Sequence, residues 1–258
     1  MPDPLHFDTH AEVYDRARPP YPAVLWAELQ DLGVLRPGIR AVDLGAGSGL
    51  ATGPLLEAGA SVDAVEPGPA LADRLRRRYP AAVVHVDTAE QVRLPTSFYD
   101  LADAATAVHW FDLNVVVPRL HRVLRPGGHF AVWRNAFSDP SVPVTPFCER
   151  VAQIVARRTA VEPRRAHGEL ETDAWAASLT TSGHFATTHI RHFSWSISMR
   201  TDQIRDLFTT FSNWNPTEVD NDSRSRSIDH CRCRSLAPGA RTGADQYHDH
   251  RQIGCGIG

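Results

Sequence analysis

The stretch "AVDLGAGSGL", residues 41–50, decides the reading of this chain. A short apolar run leads into Asp43, and Gly45, Gly47 and Gly49 follow at alternate positions. An apolar run closed by glycines reads as a buried strand that turns sharply at its end, where backbone can approach a ligand. Two ligand classes compete for such a loop. A dinucleotide loop is spaced G-x-G-x-x-G and aims backbone N–H groups at a pyrophosphate. Here the third glycine comes one position early, Leu50 holds its usual place, and Asp43 is an unfavourable neighbour for an anion. A cationic ligand carrying an ammonium and a sulfonium suits that acid better.

An acid is next expected at the end of the following strand. "SVDAVEP" (61–67) places Glu66 there, 17 positions beyond Gly49. A carboxylate at that point can accept from both hydroxyls of a ribose. That contact serves either ligand class, so it indicates a nucleoside without choosing between them.

Working outward, strand-like and helix-like stretches alternate from about residue 22 to 135. Helical periodicity marks 21–33, 48–59, 69–80 and 113–128, the last with Pro118 set to bend or restart it. Strand character marks 39–45, 61–67, 81–87, 99–107 and 129–135. Short connections between alternating strands and helices predict an α/β fold, a doubly wound parallel sheet covered on both faces. From 139 to 184 the pattern is mostly helical, which predicts a cap after the fifth strand. Residues 184–198 alternate as a sixth strand, and 201–214 form a helix with Thr201 as its N-cap.

These stretches resemble class I S-adenosylmethionine-dependent methyltransferases. "VDLGAGSG", "VDAVEPGPALADRL", "VDTAEQVRLP", "HWFD" and "HRVLRPGG" stand in that family's order and spacing, over about residues 7–218. The layout is similar to a type 11-like small-molecule group of trans-aconitate methyltransferase type, with its opening "Y…RP.YP" at Tyr14, Arg18, Pro19, Tyr21 and Pro22. The resemblance implies a Rossmann-like sheet of order 3-2-1-4-5-(7)-6 and S-adenosyl-L-methionine as cofactor. Gly45, Gly47 and Gly49 would wrap its methionine part above Asp43, and Glu66 would hold its ribose. In relatives an Asp meets the adenine amino group; Thr88 stands at that position here, with Ala89 offering its N–H to the ring. Thr106 would line the floor near the sulfonium.

His109, after the fourth strand, is the candidate general base, or else with Trp110 a wall of the acceptor pocket. Tyr14 and Arg18 in the opening segment, and Arg134 and Asn135 at the end of the fifth strand, face the same opening as candidate acceptor contacts. Arg18 could pair with a carboxylate, and Trp133 reads as packing. Arg76-Arg77-Arg78 reads as a helix C-terminal turn.

With 258 residues and a net charge of −3, the chain has room for one domain and no basic surface that would call for nucleic acid. Its start is unlike a signal peptide and no stretch reaches the roughly 18 apolar residues of a membrane span, so a cytoplasmic protein is expected. All its basic residues are arginine, as GC-rich bacterial coding would give.

Beyond residue 218 the character changes. Residues 219–258 hold few large apolar side chains and neither period, which predicts an atypical, disordered tail behind a 1–218 methyltransferase domain. The seventh strand is therefore left in doubt. The break in composition is what a shifted reading frame would produce. His230, Cys231, Cys233, His248, His250 and Cys255 lack zinc-finger spacing, and no metal is expected.

The first functional reading is methyl transfer to a small-molecule acceptor, on oxygen or nitrogen. The alternatives are a non-catalytic or destabilised remnant and, more distantly, an NAD-dependent oxidoreductase. The acceptor and the oligomeric state are not legible in the sequence.

Overall fold

The computed structural model describes residues 7–136, 149, 172–210 and 247–255. A short 3-10 turn at Asp8–His10 leads into α1 (Ala11–Ala17) and α2 (Ala23–Asp31). Alternation then begins: β1 (Arg40–Leu44), α3 (Thr52–Glu57), β2 (Ser61–Val65), α4 (Pro69–Arg78), β3 (Val83–His85) and β4 (Tyr99–Ala105). A second 3-10 turn, Val108–Trp110, precedes α5 (Leu113–Val123) and β5 (Leu124–Ala136). The remaining described elements are α6 (Thr172–Thr180), β6 (His189–Ile197), α7 (Thr201–Thr209) and β7 (Tyr247–Cys255).

The strands form one sheet in the order β3-β2-β1-β4-β5-β7-β6. β1 pairs in parallel with β2 and β4, β2 with β3, and β4 with β5. The order reverses beside β1, the point in such a sheet where the ends of strands part and leave a crevice for a ligand. β1 is buried along four of its five residues because both its faces are covered. Val42 and Leu44 face a core built with Val116, Leu120 and Phe130; Ala41 faces a second core with Leu25, Leu55 and Trp133. Burying such aliphatic side chains contributes about 1.5–3 kcal/mol each.

β7 fills the place that the sequence left in doubt. It runs antiparallel between β5 and β6, with Trp133 opposite Ile253 and Arg191 opposite Ile253. The strand comes from within the stretch read as a tail. Its low apolar content kept it in doubt, because hydrophobic period is the main signal a sequence offers for a strand. The remainder of that stretch, 211–246 and 256–258, lies outside the described residues, as do 137–148 and 150–171 of the predicted cap. The cap's last predicted helix is present as α6.

Two local expectations are corrected. α5 runs through Pro118 as a single helix, with Val116, Val117, Leu120 and Val123 buried on one face. Its packing outweighs the loss of one helical donor. Thr201 is the first helical residue of α7, not its N-cap; Arg200 takes that position and its N–H donates to Gln203 Oε1 at 2.9 Å.

Candidate active site

The glycine loop leaves β1 in left-handed backbone. Gly45, Gly47 and Gly49 have φ of 69°, 57° and 94°, values that disfavour any side chain. Space enforces the same choice at Gly45, where an added Cβ would lie 2.6 Å from Ala107 Cβ. At Gly49 it would lie 2.7 Å from the Tyr79 ring. Gly45 and Gly47 border a cavity of about 260 Å³, whereas Gly49 packs away from it against α4.

Glu66 borders the same cavity and organises the loop. Its Oε2 accepts from Gly47 N–H and its Oε1 from Gly68 N–H, both at 2.8 Å. Each carboxylate oxygen keeps a further lone pair for a ligand hydroxyl. Burial pushes this carboxyl up to about 7, opposed by those two backbone donors. Asp43 lies below the loop, fully buried, and does not border the cavity. Its Oδ2 accepts from Thr52 Oγ1 at 2.6 Å, tying the end of β1 to the start of α3.

Thr88 and Ala89 form the facing wall. Asp87 Oδ1 accepts from Thr88 N–H at 2.8 Å, and Thr88 O accepts from the N–H groups of Gln91 and Val92. The turn that presents Ala89 is thus closed locally. Glu90 also borders the cavity and accepts from Asp112 N–H at 3.0 Å, linking this wall to the start of α5.

The opening segment covers the cavity. Tyr14 lies over Gly47, and its ring stands 5.3 Å from that of Phe7, which packs edge-on against Trp110 at 5.5 Å. Asp8 Oδ1 accepts from Leu71 N–H at 3.0 Å, satisfying an unpaired donor in the first turn of α4 from a distant part of the chain. Asp15 meets Arg78 at 3.0 Å, and Arg16 meets Asp206 at 2.7 Å. The segment is therefore anchored to α4 on one side and α7 on the other. Arg78, read from sequence as a helix-end charge, is also one of these anchors.

Thr106 stands where two cavities meet. It borders the larger one and a second of about 40 Å³ that His109, Trp133, Arg134 and Trp175 also border. Its φ is 57°, a strained conformation for a β-branched residue. Thr106 N–H donates to Trp133 O at 2.7 Å and its hydroxyl meets that of Tyr21 at 2.9 Å, which hold it there. Close packing around the ring, followed by the neighbouring Arg134 and Arg18 guanidiniums, lowers the His109 imidazole to about 4, although the residue keeps an exposed edge.

The predicted residues thus divide into groups. Gly45, Gly47, Glu66, Thr88, Ala89 and Thr106 share the large cavity with Tyr14 and Trp110, which the sequence reading assigned to the acceptor. His109 and Arg134 share the small one. Arg18 borders neither: it donates to Thr210 O at 2.8 Å and lies 5.1 Å from the Tyr14 ring centre. Asn135 is buried, with no hydrogen bond to its Oδ1 among the described residues. Trp133 packs edge-on against Tyr21 and Trp26, in keeping with a packing role. Phe7, Leu71, Glu90 and Phe111 border the large cavity without having been predicted. Leu71, Glu90 and Phe111 stand within the motifs quoted above without having been singled out there; Phe7 carried no such signal. No helix among the described residues is long and apolar enough to cross a membrane.

Comparison with known proteins agrees with this geometry. Residues 42–132 match the methyltransferase domain family. An uncharacterized methyltransferase of Mycobacterium tuberculosis is 39% identical over 132 residues, 51% of this chain and 53% of that protein. The malonyl-[acyl-carrier protein] O-methyltransferase of Serratia marcescens is 30% identical over 133 residues, covering 49% and 52%. The chain spans about half the length of the curated relatives it matches. Among solved structures, a candidate type II methyltransferase from Anaeromyxobacter dehalogenans superposes with a TM-score of 0.66 at 27% identity, covering 93% of this chain and 97% of that one. The match to the methyltransferase domain falls on β1 through β5, the part of the sheet that carries the loop and Glu66, and the Anaeromyxobacter methyltransferase is similar in fold over most of the chain.

Proposed function

We propose that the chain transfers a methyl group from S-adenosyl-L-methionine to a small-molecule acceptor, on oxygen or nitrogen. The observation that carries this reading is the junction at Thr106. A cavity lined by the glycine loop, Glu66 and Ala89 meets there a second one lined by His109 and Arg134. The residues fit the cofactor. Gly45 and Gly47 bring bare backbone to the cavity wall, and Glu66 has lone pairs to spare for two ribose hydroxyls. Ala89 N–H and the Thr88 hydroxyl serve the adenine, the hydroxyl accepting more weakly than a carboxylate would. The buried Asp43 lends negative charge beneath the methionine part.

S-adenosylmethionine, when bound, supplies an electrophilic methyl on a good leaving group, so alignment and exclusion of water are the protein's main tasks. Effective concentration can contribute roughly 7–11 kcal/mol to such a step. Tyr14, Phe7 and Trp110 close the large cavity from above and keep water out. Arg134 attracts an anionic acceptor toward Thr106. His109 is neutral at pH 7, and a ring nitrogen can accept a proton from the acceptor, although a base lowered to about 4 has little driving force for it. This favours acceptors that arrive already ionised, such as carboxylates. The relative named as an O-methyltransferase is compatible with an oxygen acceptor.

The destabilised-remnant reading loses its main ground, since β7 pairs on both sides. The oxidoreductase reading keeps only Glu66 in common. Calorimetric titration with S-adenosylmethionine, S-adenosylhomocysteine and NAD tests the proposal: the first two bind and NAD does not. Tight binding of NAD alone overturns it, and binding without turnover across a panel of carboxylate, hydroxyl and amine acceptors returns the remnant.

A further inference from the structure

Beside the loop, β1 and β4 set two carboxyl groups against each other. Asp43 and Asp103 are register partners, both fully buried. Their outer neighbours in the same row are Ala64 on β2 and Ala131 on β5, which bring only methyl groups. Asp43 Oδ2 is taken by Thr52. Asp43 Oδ1 and both Asp103 oxygens have no hydrogen-bond partner among the described residues. Four carboxylate oxygens with Thr52 alone to donate to them are untenable in a dry interior, where an unpaired charge is costly. Two carboxyl groups so placed cannot both ionise, and the arrangement is satisfied if one proton lies between them.

We propose that Asp103 is a positioning residue for the cofactor loop, holding a proton and donating it in a hydrogen bond to Asp43 Oδ1. Asp43 is then gripped on both sides, by Asp103 on one oxygen and by Thr52 on the other. Because Asp43 joins the end of β1 to the start of α3, its side-chain orientation fixes both ends of the loop 45–51. The pair keeps a single negative charge below the loop, which complements a cationic ligand without the repulsion of two.

Burial and the facing Asp43 charge hold the Asp103 carboxyl well above the ordinary carboxylate range. The other titratable groups within reach of Asp43 are Glu66 beyond β2, Tyr14 of α1 and Tyr21 ahead of α2. The sign follows from the raised folded-state value: stability tied to Asp103 is present at low pH and is lost as pH rises through it. Rising pH therefore loosens the loop.

The inference about the loop's ligand rests on the proposed function; the carboxyl pair itself does not. Two measurements on the full chain keep the two apart. The first, without ligand, is infrared spectroscopy and thermal unfolding from pH 6 to 9.5 for wild type, Asp103→Asn and Asp103→Leu. A protonated-carboxyl band persists in wild type above the ordinary carboxylate range and is missing from Asp103→Asn. Wild type loses melting temperature on the alkaline side, and Asp103→Asn, which donates through its amide without titrating, loses less. Absence of that band, or identical alkaline slopes, overturns the proposal whatever the protein binds. The second measurement is titration with S-adenosylhomocysteine. Asp103→Asn stays within about threefold of wild type at pH 7, whereas Asp103→Leu, which leaves Asp43 Oδ1 unpaired, weakens binding about tenfold or more. Equal affinity of the two variants overturns the positioning role. If no variant binds the probe, wild type included, the functional reading fails and the infrared and unfolding results still decide the pair.

Discussion

The two halves of the sheet are built differently. β1, β2 and β4 lie within residues 40–105, and the polar groups around the glycine loop are shared at short range: Asp43 with Thr52, Glu66 with Gly47 and Gly68. β5, β7 and β6 are joined across a long separation, and β7 reaches its place between the other two from the far end of the described chain. The first half carries the glycine loop and the acid that ties it in its own local sequence. The second depends on a strand whose composition gives little reason to be buried. Order in a sheet can thus come from backbone pairing where side-chain hydrophobicity is poor, because a gap between β5 and β6 would leave two rows of N–H and C=O groups unsatisfied.

Substitutions that break one half and spare the other sharpen this contrast. Ile253→Pro removes a backbone donor from a strand paired on both sides and is expected to cost about 3 kcal/mol or more in chemical unfolding. Cofactor affinity of the molecules still folded should change little; a loss of affinity as large as the loss of stability would show that the halves are coupled. Gly45→Val attacks the other half. It forces a β-branched residue into left-handed backbone against Ala107 and should weaken S-adenosylhomocysteine binding about 100-fold, read by calorimetry.

Glu66→Gln comes next, at about 10- to 100-fold, because its amide must oppose the Gly47 or Gly68 N–H. On the proposed function the ionised carboxylate is the form that would accept ribose hydroxyls, so affinity should fall as pH drops through about 7. The linkage to folding has the opposite sign: stability tied to Glu66 is full below about 4.5 and lost as pH rises through about 7.

His109→Gln is expected to lower kcat by about tenfold or less on a carboxylate acceptor, since such an acceptor has no proton to lose. With its folded value lowered, stability tied to His109 is present above about 6.5 and lost as pH falls toward about 4. Melting curves of wild type and His109→Gln across that range should converge at neutral pH and part below it. The smallest effect is that of Arg78→Ala, which frees one anchor of the opening segment. An exposed ion pair is worth about 1 kcal/mol or less, so stability should barely move while the segment becomes more open to proteolysis.

Much of the site was legible because its residues are local and chemically unusual. Glycines at alternate positions after an apolar run require left-handed backbone, and an acid at the end of β2 is an expensive residue to place there without a partner. The partition of Tyr14 and Trp110 from His109 and Arg134 was not legible. It depends on where the 3-10 turn at Val108–Trp110 points successive side chains. Asp8 was invisible for a similar reason: its partner, Leu71 N–H, is 63 residues away.

By itself the sequence determined the alternation of β1 to β5, the glycine loop and the acid that answers it. Periodicity and backbone stereochemistry act within a few residues, and a sequence displays them directly. Only the tertiary structure decided that Tyr247–Cys255 supplies β7, that Thr106 joins two cavities, and that Asp43 faces Asp103. Those depend on strand register and on which backbone groups would otherwise go unpaired, quantities that exist only once distant segments are side by side.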